Sequence, residues 1–417
     1  MPLKFTKPKK SIYLDYAATT PLDPKVTKAM APYLDAKFGN PSSLYSRGRE
    51  AKAALELSRK IIADLIKCRS SEIIFTAGGS ESVNLAIFGV AKNYISGKKP
   101  YHFITSAIEH HCVLNSFQAL AGEGYKTSLV PVDSQGVIKL DELKKAVRPE
   151  TIFISVMLAN NEIGTVEPVA EIGKWLKVLN KERQEKGLPK IIFHTDACQA
   201  AGYLDLNVEK LGVDLMSVNG SKIYGPKQTG FLYVRAGTEI VPLIYGGGQE
   251  KGLRGGTENV AGAVGLAKAL ETVQGHRQKE NNRLQSLSTY LIAEIKKKIP
   301  GVLLNGVDES KLKTINHNQS LIKRLPNNIN FTFPGVEGEA LMLYLDSYGF
   351  EVSTASACST SDPSEPSHVL VALGRSQAHA KSSIRFTLGK YSQKSDLVSL
   401  MKILPKLVKD LKKVYKK

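Results

Sequence analysis

One stretch organises the chain. Residues 217–230 read Ser-Val-Asn-Gly-Ser-Lys-Ile-Tyr-Gly-Pro-Lys-Gln-Thr-Gly. The apolar run over residues 213–218 predicts a buried strand, and the strand leads into a polar corner that carries Lys222. The Gly-Pro turn that follows can continue neither a strand nor a helix. Most lysines are solvated surface charges, so Lys222 needs suitable neighbours to be functional. With them, a lysine on such a fixed corner can bond covalently to a carbonyl cofactor.

Strand and helix patterns alternate on both sides of this stretch. The predicted strands cover residues 72–76, 102–106, 127–132, 152–157, 191–195, 215–218 and 230–234. Helices are predicted between most of them, for example over residues 47–67, 81–95 and 168–186. This alternation predicts an α/β fold, in which helices cover a mostly parallel sheet and ligands bind at the carboxyl ends of the strands.

The pattern changes after residue 275, which predicts a second domain. Helices are expected over residues 277–298, 337–348 and 394–415, with strands at 328–333 and 383–388. Within the last helical stretch, Pro405 is predicted to open a second helix. We therefore expect a large domain over residues 23–275 and a smaller α+β domain formed by residues 1–22 and 276–417. A length of 417 residues suits two or three domains.

The composition excludes several classes of protein. Hydrophobic residues make up 42% and charged residues 23% of the chain, and no run is long or apolar enough to span a membrane. No signal sequence is evident, so we expect a cytoplasmic protein. The four cysteines, at positions 68, 112, 198 and 358, are too scattered for a zinc site or a disulfide framework, and no metal is expected.

A net charge of +18 raises the possibility of nucleic-acid binding. The basic residues are spread along the chain, however, and concentrate only at residues 4–10 and 406–417. No RNA-recognition or helix-turn-helix signature accompanies them. We therefore expect no direct contact with nucleic acid, and a basic surface that favours acidic partners.

Three predicted strand ends carry candidate site residues. A strand, a Gly-rich turn with Gly79, and a helix start at Ser80 together predict a phosphate site, with a simple N-cap as the alternative. Asp196 follows a buried strand and could either cap a helix or pair with a pyridinium nitrogen, as in pyridoxal phosphate enzymes. Gln199 could donate to the ring's phenolate oxygen or be a surface amide. His110 could stack on the ring and transfer protons, or be structural.

Taken together, these motifs resemble those of the cysteine desulfurases, in the NifS- and IscS-like group of the class V aminotransferase family. These enzymes are fold-type I pyridoxal phosphate transferases. The similarity runs nearly end to end. The matching motifs cover residues 13–21, 39–43, 78–82, 108–111, 160–164, 194–199, 222–227, 245–250, 254–259, 356–358, 366–370 and 383–386.

The resemblance implies a role for each candidate. Lys222 would hold pyridoxal 5'-phosphate covalently. The other implied cofactor contacts are Asp196, Gln199 and His110 at the ring, Gly79, Ser80, Asn219 and Ser221 at the phosphate, and Asn161 near cofactor and substrate. Thr257 would reach the phosphate of a neighbouring subunit, which implies a homodimer. Arg385 would bind the substrate carboxylate, with a strand-edge salt bridge as the alternative.

Cys358 would carry the reaction that names the family. It lies in a run of small residues, 353–365, whose composition predicts a mobile loop and an accessible thiol. The resemblance implies that its thiolate takes sulfur from L-cysteine, leaving L-alanine and a persulfide. An iron–sulfur scaffold or a sulfur carrier for tRNA thiolation would receive the sulfur. Cys68, Cys112 and Cys198 are better explained as small packing residues.

The chain departs from the family beside Lys222. The usual Ser-x-His-Lys is replaced by Asn219-Gly220-Ser221-Lys222, which lacks an imidazole at the phosphate. Because a charge-assisted contact is stronger than a neutral one, we expect cofactor retention to be weaker by several-fold or more. Gln228 also stands where the family commonly has glycine. The alternatives are a selenocysteine lyase, another class V aminotransferase activity, and a non-catalytic scaffold that has lost its cofactor.

Overall fold

The computed structural model describes residues 11–94, 100–308, 323–354 and 365–414. Cys358 and most of its predicted loop lie outside these ranges. The strands are β1 (Ile12–Tyr13), β2 (Ile73–Thr76), β3 (His102–Ser106), β4 (Lys126–Val130), β5 (Thr151–Ser155), β6 (Ile192–Asp196), β7 (Leu215–Asn219), β8 (Gly230–Val234), β9 (Leu303–Leu304), β10 (Asn328–Thr332), β11 (Phe350–Glu351), β12 (Ser353–Thr354) and β13 (Ser383–Thr387).

Helices connect and cover these strands. They are α1 (Pro24–Leu34), α2 (Ser46–Ile66), α3 (Gly79–Asn93), α4 (His111–Gly122), α5 (Leu140–Ala146), α6 (Val169–Glu185), α7 (Val208–Leu211), α8 (Val260–Gly275), α9 (Arg277–Lys298), α10 (Gly338–Ser347), α11 (His368–Ala372), α12 (Gln377–Lys381) and α13 (Lys394–Val414). None of the described helices is both long and apolar enough to cross a membrane.

The described part of the chain contains a seven-stranded sheet with the order β2-β8-β7-β6-β5-β3-β4. Strand β8 is antiparallel to both of its neighbours, and the other neighbouring pairs are parallel. The predicted α/β class with a mostly parallel sheet is therefore confirmed. The seven predicted strands match the observed ones to within two residues at each end.

Both faces of this sheet are buried, because successive side chains of a strand point to opposite faces. Phe103 of β3 belongs to the apolar cluster that contains α3 and α4, whereas the next residue, Ile104, belongs to the cluster that contains α2 and α6. Burial on both faces explains why the strands read as continuous apolar runs. It also leaves the strand ends as the places where polar side chains can gather.

A second, antiparallel sheet has the order β12-β13-β10-β9. Helices α9, α10 and α13 pack around it, and the N-terminal strand β1 pairs in parallel with β11. Helix α8 ends at Gly275 and α9 begins at Arg277. The division into domains at residues 22/23 and 275/276 stays a prediction.

The predicted helix break at Pro405 is wrong. Helix α13 runs without interruption from Lys394 to Val414, with Pro405 inside it. An internal proline costs a helix about 3 kcal/mol, because it removes a hydrogen bond and crowds the preceding turn. Here the buried face continues on both sides of the proline, through Leu400, Leu404 and Leu407. Burying each such side chain stabilises the protein by about 1.5–3 kcal/mol, which offsets the cost.

Candidate active site

Glycine allows three elements to meet at the carboxyl edge of the large sheet. A Cβ atom at Gly79 would lie 2.8 Å from Cys198 Sγ and 3.3 Å from Asn219 Cβ. Only a residue without a side chain therefore lets the start of α3 approach the ends of β6 and β7 so closely. Gly79 brings the predicted phosphate turn next to the polar corner that leads to Lys222.

The N-cap alternative for Ser80 is wrong. The N-cap of α3 is Gly78, with φ at +138°, and Ser80 is the exposed second residue of the helix. No side chain of the described residues caps this 15-residue helix. Its first amides and the Ser80 hydroxyl can therefore face an anion, at the positive end of the helix dipole.

Asn219 and Ser221 are bonded to each other. Asn219 Oδ1 accepts from the Ser221 backbone N–H at 3.0 Å and lies 3.1 Å from Ser221 Oγ. Asn219 Nδ2 lies 3.5 Å from the place where a Cβ at Gly79 would be, and so faces the start of α3. The amide oxygen of Asn219 is thus used within the corner, while its nitrogen remains a donor on the side of the phosphate turn.

Lys222 and Gln199 both donate to the backbone at Ala17 and Ala18. Lys222 Nζ donates to the carbonyl oxygens of Ala17 at 3.0 Å and Ala18 at 2.6 Å. Gln199 Nε2 donates to the same Ala17 oxygen at 3.0 Å. Gln199 is half-buried and bonded, so the surface-amide alternative is wrong. Its contact with a phenolate oxygen and the covalent role of Lys222 stay predictions.

Asp196 is the last residue of β6 and is only 6% exposed. Its Oδ1 accepts from the Cys198 backbone N–H at 2.9 Å. Cys198 lies in a turn, because the described chain has no helix between β6 and α7. The alternative that Asp196 caps a helix is therefore wrong, and its pairing with a ring nitrogen stays a prediction.

His110 caps helix α4, and its surroundings favour the neutral form of its ring. It is the N-cap of α4, and its Nδ1 accepts from the Cys112 backbone N–H at 3.1 Å. Burial lowers the pKa of His110 and the nearby Lys222 lowers it further, although the Asp196 carboxylate raises it. The ring is then neutral, with its proton on Nε2, because Nδ1 is the acceptor. A neutral imidazole suits the predicted stacking on a planar cofactor.

Arg385 on β13 is 2% exposed and faces the same region from the second sheet. Its Nη2 pairs with Asp15 Oδ1 at 2.7 Å, and its Nη1 donates to the Asn161 carbonyl at 3.0 Å. The salt bridge expected as the alternative is thus present. Arg385 Nε, however, has no hydrogen-bond partner among the described residues. A buried, unpaired guanidinium donor is suited to a carboxylate ligand.

Thr257 lies apart from this cluster. It is exposed and lines a separate groove of about 230 Å³ together with Ala77, Gln228 and Arg254. Arg254 Nε donates to Glu81 Oε1 at 3.0 Å, which connects the segment that precedes α8 to helix α3. The proposed reach of Thr257 into a neighbouring subunit stays a prediction. Gln228 has a φ of +59°, a conformation that glycine adopts more easily.

Two buried acids at the site are not predicted by the sequence. Glu109 is fully buried, its Oε1 accepts from the Met157 N–H at 2.7 Å, and its Oε2 has no partner among the described residues. Burial raises the pKa of Glu109 well above its usual value, which favours the protonated, neutral carboxyl. Glu162 accepts from Ser367 Oγ, and burial raises its pKa to about 7. Both acids lie in motifs quoted above, but nothing local in the sequence indicates that they are buried.

The remaining cysteines resemble ordinary packing residues. Burial raises the pKa of Cys68 to about 12, and it also raises the pKa of Cys112. Both thiols therefore stay protonated and weakly nucleophilic at neutral pH. Among the described residues, no group of three or more His, Cys, Asp or Glu side chains could hold a metal ion. The predicted nucleophile, Cys358, lies outside the described residues.

Comparison with known proteins identifies similar sequences and similar solved structures. The cysteine desulfurase IscS of Dictyoglomus turgidum is 48% identical over 406 residues, which cover 97% of this chain and 96% of that protein. A solved NifS-like protein matches with a TM-score of 0.85 and 34% identity, over 96% of this chain and all of the other. The structure described as SspA in complex with cysteine matches with a TM-score of 0.75 and 35% identity, over 91% and 99% of the two chains.

These likenesses confirm the predicted fold of the pyridoxal phosphate transferases as well as the family. Residues 12–400 match the family described as aminotransferase class-V. Because the similarity covers nearly the whole of each relative, it includes both sheets and every described strand end at the site. The chain therefore belongs to the class V aminotransferase family, in its NifS- and IscS-like group.

Proposed function

We propose that this protein is a cysteine desulfurase that uses pyridoxal 5'-phosphate. The observation that carries the proposal is the meeting of Lys222, Asp196 and His110 at one sheet edge, beside the uncapped start of α3. The relatives named cysteine desulfurase support the choice of reaction.

The residues present fit the cofactor. Gly79 leaves room for a close approach at the start of α3, and Ser80 and Asn219 provide neutral donors for a phosphate. The Ser221 hydroxyl donates to Asn219 Oδ1 and would add a third donor if it exchanged that acceptor for the phosphate. Asp196 would hold the ring nitrogen, Gln199 the phenolate oxygen and His110 the face of the ring. Asn161 would lie between cofactor and substrate. When bound, pyridoxal phosphate supplies an electron sink that labilises bonds at the substrate α-carbon.

The chain's own groups then have separate tasks. Lys222 anchors the cofactor and can move a proton through its Nζ. Asp196 holds a proton on the ring nitrogen, and neutral His110 excludes water from one face. Arg385 binds the substrate carboxylate through its unpaired Nε. Its Nη2 can add a second hydrogen bond to the substrate if it releases Asp15.

The overall reaction balances without an external oxidant. The Cys358 thiolate attacks the sulfur of L-cysteine, so that an S–S bond forms while the substrate's C–S bond breaks. The carbon takes up a proton and becomes the methyl group of L-alanine. Cys358 is left as a persulfide, which is then passed on as sulfur.

The proposal also covers the sulfur acceptor and the oligomeric state. The sulfur would pass to a scaffold protein for iron–sulfur clusters, or to a carrier for tRNA thiolation, in the cytoplasm. Thr257 would complete the partner's phosphate site in a homodimer. No direct binding of nucleic acid, membrane or metal is part of the proposal.

The test uses full-length protein loaded with pyridoxal phosphate. We expect L-cysteine to give equal amounts of L-alanine and protein-bound persulfide, with the persulfide located on Cys358 by mass spectrometry. Cys358→Ser should remove persulfide formation, and Lys222→Ala should also remove the visible absorbance of the lysine-bound cofactor. Cys68→Ser is the matched control and should retain activity.

Other outcomes would point elsewhere in the family. Alanine and persulfide formation by Cys358→Ser at the normal rate would exclude the assigned nucleophile. Turnover of selenocysteine without turnover of L-cysteine would make the protein a selenocysteine lyase, and amino transfer to keto acids would make it an aminotransferase. Protein that never acquires the cofactor absorbance would be the non-catalytic scaffold.

A further inference from the structure

A second cavity adjoins Lys222. It has a volume of about 420 Å³. Its walls are the segment 222–224, the last turns of α8, the first turns of α9, the start of α1 and Lys390. Apart from Lys222, none of the residues assigned above to the cofactor or the substrate lines it. The cavity is therefore a separate compartment that shares one wall with the candidate active site.

The floor of this cavity is apolar and partly aromatic. Tyr203, Ile223, Tyr224 and Ala269 are each less than 10% exposed, and Val273 adds a half-buried apolar side chain. The volume lies within the range of roughly 300–1,000 Å³ that is typical of small-molecule sites. Two tyrosine rings in the floor favour a flat, apolar body, since aromatic side chains offer large contact areas.

The rim has the opposite character, because lysines surround it. Lys25, Lys279 and Lys390 are exposed at the edge, beside His276. The lining also contains two carboxylates, and both are already paired with cations. Asp23 forms a salt bridge with Lys390 at 2.5 Å, and Glu280 forms one with Arg283 at 2.6 Å. The rim therefore carries an excess of positive charge that can attract an anionic group.

Tyr224 connects the cavity to the lysine corner. It lies two residues after Lys222 and has a left-handed φ of +61°. Its hydroxyl accepts from the Lys390 backbone N–H at 2.7 Å, and its carbonyl accepts from the Asp23 N–H at 3.0 Å. A molecule in the cavity would thus contact three segments of the chain that Tyr224 already holds together.

We propose that this cavity is a binding site for a small aromatic carboxylate. Its rings would lie on Tyr203 and Tyr224, and its carboxylate would face Lys25 and Lys279. The chain's own ends are poor candidates for the occupant, because residues 4–10 and 406–417 are rich in lysine and would be repelled by the rim. The inference does not depend on the proposed reaction, because binding requires no turnover.

The test is a titration of the cofactor-loaded, full-length protein with 2-naphthoate, followed by saturation-transfer NMR. Neutral 2-naphthamide is the ligand control. Thr272→Trp fills the cavity from α8, and Lys279→Glu reverses a rim charge. The matched controls on α9, outside the cavity, are Thr289→Trp and Lys297→Glu.

We expect saturable binding of 2-naphthoate. Thr272→Trp should weaken it by about tenfold or more, which corresponds to the loss of one ring's contacts. Lys279→Glu should weaken it by about twofold to fivefold, as expected for an exposed ion pair, and this effect should shrink with added salt. The amide should bind more weakly than the carboxylate, and both control variants should bind like the wild type.

Three results would overturn the proposal. One is equal binding by Thr272→Trp and Thr289→Trp, which would place the probe elsewhere. Another is equal affinity for the carboxylate and the amide, which would remove the role of the rim. The third is displacement of 2-naphthoate by L-alanine, which would place the probe in the active site. Because Lys279→Glu changes only an exposed side chain, it remains informative if Thr272→Trp does not fold.

Discussion

The two edges of the seven-stranded sheet differ in a way that locates the chemistry. At the carboxyl edge, Asp196 is 6% exposed, and its carboxylate raises the pKa of the half-buried His110 against the effect of burial. At the amino edge, a groove of about 840 Å³ is lined by three exposed lysines of α6, Lys174, Lys177 and Lys181. These three lysines are solvated.

The lysines of the groove and the Asp196–His110 pair differ in burial, and we expect this difference to matter more for reactivity than the number of charges. An exposed lysine keeps its hydration, and its interactions are screened by salt. A buried carboxylate or imidazole has its protonation set by a few fixed neighbours, which is what acid–base chemistry needs. Substitutions at the carboxyl edge should therefore have large effects, and equivalent substitutions at the amino edge small ones.

The sharpest contrast uses one acid from each edge. Asp196→Asn should lower kcat for L-cysteine by roughly 10²–10³, because it removes a charge that a buried ring nitrogen requires. Glu209→Gln, which removes an exposed charge in the amino-edge groove, is the matched control and should leave kcat within about twofold. Steady-state alanine production measures both. Equal losses in the two variants would contradict the comparison.

The pH dependence of stability gives a second contrast. Burial raises the pKa of Glu162 from 4.5 to about 7, so the folded state holds a proton that the unfolded state releases. The free energy of unfolding should consequently fall by about 3 kcal/mol as the pH rises through that window. Glu162→Gln should lack this contribution, whereas Glu209→Gln at the exposed amino edge should retain it. Urea unfolding at pH 5 and pH 8 tests this, and identical slopes in all three proteins would contradict it.

A third contrast concerns guanidinium groups. Arg385→Lys should raise KM for L-cysteine by about tenfold to a hundredfold, because it loses charge-assisted contacts to the carboxylate. Arg235→Lys, in the amino-edge groove, should leave KM unchanged. Initial rates over a range of cysteine concentrations distinguish the two. A change confined to kcat would mean that Arg385 positions other groups and does not bind the substrate.

A smaller effect is expected beside Lys222. Ser221→His should strengthen pyridoxal phosphate binding by about threefold to tenfold, since it restores a charge-assisted donor at the phosphate. The substitution also releases Asn219 Oδ1 from its contact with Ser221 Oγ. Equilibrium titration of apo protein, followed by absorbance, measures the change. Affinity that does not rise would show that the Asn219–Ser221 pair holds the phosphate as well as an imidazole does.

The smallest effect is expected in the groove itself. Replacing Lys174, Lys177 and Lys181 together by glutamine should change the free energy of unfolding by no more than about 0.5 kcal/mol per substitution. Turnover of L-cysteine should stay within about twofold of the wild type at low and at high salt. A large loss of turnover would show that solvated charges at the amino edge do contribute to the chemistry.

Local periodicity was enough to predict most of the fold. The predicted strand over residues 102–106 matches β3 residue for residue, because its pattern of burial is continuous and its ends are polar. Helix α9 was likewise predicted with its observed bounds. Pro405 was misjudged because local helix rules ignore the packing that holds α13 together on both sides of it.

The site was predictable in its members but not in its contacts. Asp196, His110 and Gly79 lie where the strand-end argument placed them, since parallel strands bring their carboxyl ends to one edge. The pairing of Asp15 with Arg385 spans 370 residues, and no local pattern contains it. The roles of these residues toward cofactor and substrate stay predictions, as does everything assigned to Cys358.

The residues that meet at the candidate site lie far apart in the sequence, which has a consequence for protein synthesis. Asp15 and Ala17 leave the ribosome early, but their partners Arg385 and Lys222 follow hundreds of residues later, and β1 must wait for β11. The proposed substrate site is thus expected to be among the last parts of the chain to form, because contacts of long sequence separation form slowly. A nascent chain can complete the large sheet, and with it the phosphate turn, before it can select a substrate.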